Sequence, residues 1–90
     1  MLMYQVSVQR RAERGLRRLR QGDPFAYRKV VAAIRDLAED PRPPGAVKLT
    51  AFDPPAWRVR VGSYRIVYEI DDGRVLVVVV NVAPRGEVYR

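Results

Sequence analysis

The feature that most constrains the fold is a change of hydrophobic period at the proline-rich segment 40–45, DPRPPG. Before this segment, apolar residues recur every three or four positions, which is typical of one helical stripe. After it, they recur at every second position, which is typical of strands. Because proline lacks an amide hydrogen and ends helices, the segment divides the chain into a helical half and a sheet half.

The first half predicts one strand followed by a helical hairpin. Residues 3–8 alternate loosely and form the strand, and residues 9–20 carry Ala12, Leu16 and Leu19 at helical spacing. Glycine, aspartate and proline at 22–24 end one helix and begin the next, which we expect to run to about Glu39. The two helices should lie antiparallel and present their apolar stripes to a sheet.

The second half predicts four strands at residues 47–49, 56–61, 64–70 and 74–82. Short turns at 62–63 and 71–73 make the last three strands antiparallel neighbours. The last strand is a nearly continuous valine run, which favours a central position covered on both faces. We therefore expect one α+β domain over residues 1–90, with a mainly antiparallel sheet and both helices on one face.

Three arginines occupy alternate positions in two neighbouring predicted strands. Trp57, Val59 and Val61 share one face of their strand, so Arg58 and Arg60 point the other way. Arg65 likewise points away from Ile66 and Tyr68 in the next strand. If the helical hairpin packs on the valine side, all three arginines emerge together, and guanidinium groups bind phosphate through paired hydrogen bonds.

The composition limits the chemistry that these residues can perform. The 90-residue chain has 17 basic and 10 acidic residues, a net charge of +7, and neither histidine nor cysteine. Imidazole catalysis, thiolate nucleophiles, disulfides and thiolate or imidazole metal ligands are excluded, and we expect neither metal nor cofactor. The charge favours a polyanionic partner, although a general bias toward arginine explains it equally. We expect a cytoplasmic protein, because neither a signal peptide nor a membrane span is evident.

Several short motifs in the sheet half resemble the RelE branch of the RelE/ParE toxin superfamily. They are Lys48-Leu49, the segment GSYRIVY at 62–68, and Arg85 followed by Glu87-Val88-Tyr89. The order of strands and helices also matches over almost the whole length. The tyrosine–arginine strand is shared by all branches and supports the fold, whereas the C-terminal motif is more specific to the nucleases.

The resemblance implies a toxin of a type II toxin–antitoxin system, a ribosome-dependent and metal-independent endoribonuclease that inhibits translation. Its implied partners are the ribosome, mRNA and a RelB-like antitoxin, in a hetero-oligomer. The implied catalytic residues are Arg58, Arg60, Arg65, Arg85 and Tyr89. Lys48 joins Arg58, Arg60 and Arg65 in substrate binding and is one candidate for the missing general base, because arginine is a poor proton acceptor.

Other interpretations of the same residues remain open. Arg58 and Arg60 also suit a solvated strand face, Arg65 suits a structural pairing with Glu69, and Tyr89 suits a frayed tail. The arginine row of the first helix suits either solvent or contact with RNA or an acidic partner. At the level of function, the alternatives are a ParE-like inhibitor of DNA gyrase without catalysis and a basic RNA- or ribosome-binding protein that does not cut.

Overall fold

The computed structural model describes residues 3–86 and confirms the predicted α+β class. The elements are β1 (Gln5–Val8), α1 (Arg10–Gly22), α2 (Pro24–Asp36), β2 (Val47–Leu49), β3 (Ala56–Val61), β4 (Tyr64–Asp71) and β5 (Leu76–Pro84). The five strands form one mixed sheet in the order β1-β5-β4-β3-β2. β1 runs parallel to β5, and all other neighbours are antiparallel. Within residues 3–86, no helix is long and apolar enough to cross a membrane.

Asp23 joins the two helices and caps the second. Its side chain accepts a hydrogen bond of 3.1 Å from the amide of Ala26, and Pro24 occupies the first turn, as the sequence predicts. The helix α2 ends at Asp36, before the predicted end at Glu39. Beyond Asp36 the hydrogen bonds change to the tighter 3₁₀ pattern, because the amides of Ala38 and Glu39 donate to carbonyls three residues back.

The helical hairpin covers one face of the sheet and encloses the main core. Side chains of Ala12, Val30 and Leu37 pack there against fully buried Ile66 and Tyr68. Gly15 of α1 lies directly over β5, where an added Cβ would overlap the carbonyl oxygen of Val82. A residue without a side chain is therefore needed at this crossing, although glycine weakens a helix by about 1 kcal/mol relative to alanine.

A β-bulge in β5 changes which residues face the helices. Val67 pairs with Asn81 but the next residue, Tyr68, pairs with Val79, so Val80 is the extra residue. Val77 and Val79 pack under the helices on one side of the bulge and Val82 does so on the other. Because of this register shift, Asn81 and Ala83, which follow the valine run, lie on the face of the sheet opposite the helices.

One end of the sheet is fixed by polar contacts. The hydroxyl of Tyr68 donates a buried hydrogen bond of 2.7 Å to the carbonyl of Pro41, and burial raises the pKa of this phenol to about 12. Beside it, Arg42 contacts the Asp72 carboxylate at 2.9 Å, and the Tyr4 hydroxyl donates to the same carboxylate at 2.6 Å. The Arg42 contact holds the pKa of Asp72 below its usual value. These bonds join the proline-rich loop to the β4–β5 turn.

Candidate functional site

Strand register brings Arg58, Arg60 and Arg65 to one face of the sheet. Arg60 pairs directly with Arg65, and Arg58 pairs with Val67 two residues farther along β4. Paired residues of antiparallel strands project to the same side, and the intervening Val59 and Ile66 belong to the core beneath the helices. The three arginines therefore share the helix-free side of β3, β4 and β5, which we call the arginine face.

Arg60 and Arg65 lie directly opposite each other in neighbouring strands. Like charges at directly paired positions destabilise a sheet, and their Cβ atoms lie about 5 Å apart in such a pair. The two guanidinium groups can therefore reach a common ligand. An anion between Arg60 and Arg65 would form charge-assisted interactions with both.

A small apolar floor supports the arginine face. Ala56, Val67 and Ala83 form a second buried cluster there, separate from the core under the helices. Arg58 and Arg65 are half-buried, and the Nε atom of Arg58 is fully buried with no hydrogen-bond partner among residues 3–86. A buried donor without a partner costs about 1 to 3 kcal/mol. An incoming acceptor, such as a phosphate oxygen, would satisfy it.

Arg85 lies at the rim of the arginine face. Its amide donates a 3.0 Å hydrogen bond to the carbonyl of Ser63, in the turn between β3 and β4. This bond continues the ladder in which Arg65 pairs with Ala83. The backbone of Arg85 is thereby held beside the end of the sheet that carries Arg60 and Arg65, and its side chain is exposed.

The structure does not bring Lys48 to this face. Lys48 pairs with Trp57, and Trp57 packs against the core on the helix side of the sheet, with Arg42 5.2 Å from the centre of its ring. The expected contact of Lys48 with substrate, and its use as a general base, are not supported by this register. The reason is the strand period of two, since Val47 and Leu49 take the positions beside the arginines.

Tyr89, with Glu87 and Val88, lies outside the described residues. Its assignment to the site therefore stays a prediction from the resemblance. The other four catalytic candidates, Arg58, Arg60, Arg65 and Arg85, are all described and lie on or at the rim of one face.

Asn81 is a residue of this face that sequence reasoning missed. It is the buried polar side chain of the described core, with 7% of its surface exposed, and it pairs with Val67. It thus lies in the same cross-strand row as Arg58. The signal was present in the sequence, because asparagine is depleted in strands and interrupts a run of valines, but the bulge that turns it to this face is not visible there.

Comparison with known proteins identifies the family. A model of the ParE toxin of the type II toxin–antitoxin system, parDE, matches residues 6–89. A sequence comparison with curated proteins gave no match. Because the family model covers nearly the whole chain, the chain belongs to the ParE toxin family, within the RelE/ParE superfamily of type II toxins.

Solved toxin structures share the fold over nearly the whole chain. The archaeal RelE–RelB complex from Pyrococcus horikoshii has a TM-score of 0.80 at 22% identity, covering 97% of this chain and 100% of that one. The RelBE2 toxin–antitoxin complex from Mycobacterium tuberculosis gives 0.78 at 29%, covering 97% of both chains. A YoeB/ParE toxin from Agrobacterium tumefaciens gives 0.75 at 18%, covering 89% and 96%.

Proposed function

We propose that this toxin is an mRNA endoribonuclease that acts on the ribosome, as the RelE-like motifs imply. The observation that carries the proposal is the arginine face, where Arg60 and Arg65 are directly paired and Arg58 presents a buried, unpartnered Nε. Such a face suits the transition state of strand cleavage, in which the phosphorus is bonded to both the attacking and the departing oxygen and the phosphate gains negative charge. A toxin that acts only by docking does not require these groups to converge.

In the proposed reaction, the 2′-oxygen of a ribose bonds to the adjacent phosphorus and the bond from phosphorus to the 5′-oxygen breaks. The products are a 2′,3′-cyclic phosphate and a free 5′-hydroxyl. Arg58, Arg60 and Arg65 bind the phosphate oxygens and stabilise the added charge, and Arg85 stabilises the departing 5′-oxygen. Tyr89 orients the nucleophile or stacks on a base.

Proton transfer in this scheme depends on groups outside the arginine set. Guanidinium, with a pKa above about 12, does not accept the 2′-hydroxyl proton. That proton passes to water or to a ribosomal group, and the 5′-oxygen gains one from water. The need for an external proton acceptor explains why the toxin would require the ribosome. A RelB-like antitoxin that covers the arginine face would keep the toxin inactive.

The test is to add the purified toxin to a bacterial translation reaction and to map mRNA ends by primer extension. We expect cuts in phase with the codons and cyclic phosphate ends. Arg85→Ala should lose cleavage while it still binds RNA, which separates a nuclease from a basic RNA-binding protein. Intact mRNA in the presence of the wild-type toxin would refute the proposal.

The second candidate function is inhibition of DNA gyrase without chemistry. The match of residues 6–89 to the ParE toxin family favours it. A supercoiling assay run in parallel distinguishes the two candidates. Loss of supercoiling together with intact mRNA would establish the gyrase inhibitor, whereas cut mRNA with normal supercoiling would establish the nuclease.

A further inference from the structure

A cleft lies between helix α1 and one end of the sheet. It encloses about 360 Å³ between the helix and the strand ends, and Arg18, Gly22, Tyr64, Val82, Ala83 and Pro84 line it. Tyr64 and Val82 pack on the helix side of the sheet, away from Arg65, whereas Ala83 is the cross-strand partner of Arg65 on the arginine face. A ligand bound at Arg65 reaches this cleft only by passing around the end of the sheet at Ala83 and Pro84, and we call it the rim cleft.

Beyond the rim cleft, the arginines of α1 form a continuous stripe. Arg14, Arg17, Arg18 and Gln21 line one surface groove, and all four side chains are exposed. Their spacing of three and four residues places them on one helix face, with about 6 Å of rise between Arg14 and Arg18. Arg18 belongs to both the groove and the rim cleft, so it connects the two surfaces.

The described carboxylates are spread over the molecule, and Asp23 is among the residues that line the rim cleft. Glu13 is the acidic residue of α1 and lies in its first turn, away from the rim cleft. Asp40, Asp71 and Asp72 belong to the end fixed by the contacts of Arg42. The groove of Arg14, Arg17, Arg18 and Gln21 has no carboxylate among its described lining residues, so it presents positive charge to a polyanion.

The chemistry of the stripe favours a nucleic-acid backbone over an acidic protein segment. Protein interfaces draw most of their affinity from buried apolar and aromatic anchors, and the groove of Arg14, Arg17, Arg18 and Gln21 offers none. A phosphate backbone needs no such anchor, because the release of counterions supplies the affinity. Arginine also matches phosphate with two parallel hydrogen bonds.

We propose that an RNA strand bound on the arginine face continues across the rim cleft and onto the α1 stripe, where Arg14, Arg17 and Arg18 contact phosphates remote from the reacting one. This inference rests on the proposed function, because it takes RNA as the ligand of the arginine face. The stripe adds affinity and fixes the direction of the strand without touching the reacting atoms.

The experiment compares two RNA lengths with two charge-matched variants of the full chain. Fluorescent 2′-O-methyl RNAs of about 4 and about 14 nucleotides, a range typical of single-strand binding sites, serve as probes that cannot be cut through a 2′-hydroxyl. The test variant carries Arg14→Gln and Arg18→Gln. The control carries Arg35→Gln and Arg74→Gln, two exposed arginines outside the stripe, so both variants lose the same charge.

We expect the test variant to bind the long RNA about tenfold more weakly and the short RNA within about twofold of wild type. The slope of log affinity against log salt for the long RNA should become shallower by about 1.4, because each single-strand phosphate contact contributes about 0.7. The control variant should change either affinity by less than about twofold.

Three outcomes would overturn the inference. They are an equal loss for both RNA lengths, an equal loss in the control variant, and unchanged RNA affinity with weakened binding of an acidic antitoxin segment. Thermal unfolding verifies that both variants are folded. Absence of mRNA cutting in the translation assay would refute the proposed function alone, because the length-dependent binding is measured without cleavage.

Discussion

The two faces of the sheet are built from the same strands and have opposite properties. On the helix side, Val59, Ile66 and Tyr68 are buried under α1 and α2 in a continuous apolar core. On the other side, the residues that alternate with them are Arg58, Arg60 and Arg65, over a floor of small apolar residues. Because side chains alternate along a strand, the same strand supplies core residues to one face and candidate binding residues to the other.

Substitutions on the two faces should therefore have separable effects. A change on the helix side should lower stability and leave the site chemistry intact. A change on the arginine face should remove activity and affect stability less, because Arg58, Arg60 and Arg65 are half-buried or exposed and lie outside the main core.

The largest effect should come from Arg65→Gln. We expect cleavage of mRNA on the ribosome to fall by about 10² to 10³, the usual effect of removing one preorganised donor to a transition state. The melting temperature should stay close to wild type. The matched control is Arg74→Gln in the β4–β5 turn, which should cut normally, and a large fall in melting temperature for Arg65→Gln would show that the residue is structural.

On the helix side, Gly15→Ala should give the largest loss of stability. The added methyl overlaps the carbonyl oxygen of Val82, so α1 must move off β5, at a cost of about 2 to 3 kcal/mol that exceeds the gain in helix propensity. Chemical denaturation measures the change. The control is Gly22→Ala, where a Cβ meets nothing within 4 Å, and an equal loss there would contradict the packing argument.

Tyr68→Phe tests the buried hydrogen bond from the Tyr68 hydroxyl to the Pro41 carbonyl. Removal of the hydroxyl leaves the Pro41 carbonyl without its donor and should lower the free energy of unfolding by about 1 to 2 kcal/mol at neutral pH. Burial raises the folded-state pKa of Tyr68 to about 12, above the value near 10 of an unfolded tyrosine.

The pH dependence of that variant follows from the raised pKa. The stabilising contribution of the neutral phenol is fully present below pH 10 and is lost as the pH rises toward 12. The difference between wild type and Tyr68→Phe should therefore shrink between these values in denaturation curves. A constant difference across this range would mean that Tyr68 ionises as readily in the folded state as in the unfolded one.

The smallest expected effect lies outside both faces, at Val75 in the β4–β5 turn. Its φ of 53° is a left-handed conformation that β-branched residues rarely adopt, whereas asparagine adopts it more readily. Val75→Asn should raise the free energy of unfolding by up to about 1 kcal/mol. Val75→Ala should gain less, and a larger gain from alanine would indicate that the valine side chain, not the backbone, is strained.

Much of the fold could be predicted because local patterns and tertiary packing agree. The strands at 47–49 and 56–61 match the observed β2 and β3, since their alternation is unbroken and turn residues bound them. The end of β5 at Pro84 and the inward turn of Val82 could not be predicted, because both depend on the bulge at Val80. A bulge is fixed by pairing with another strand, which no local pattern records.

For the site, too, the local pattern could be predicted and the strand pairing could not. Alternation alone places Arg58, Arg60 and Arg65 on one face, but it cannot show that Arg60 lies directly opposite Arg65, which depends on the length of the Gly62-Ser63 turn. The face on which Lys48 lies could not be predicted from its motif, because a motif carries no register and one residue of register moves a side chain to the other face. Asn81 was missed because the valines around it dominate the pattern.

The most direct test of the arginine face is a structure of the toxin on a translating ribosome, with a 2′-deoxy nucleotide at the cleavage position of the mRNA. We expect the scissile phosphate to lie over β3 and β4, with guanidinium nitrogens of Arg60 and Arg65 about 2.7 to 2.9 Å from its oxygens. A complex in which the helix side meets the mRNA, or in which the arginine face contacts only protein, would show that the arginine face is not the RNA-binding site.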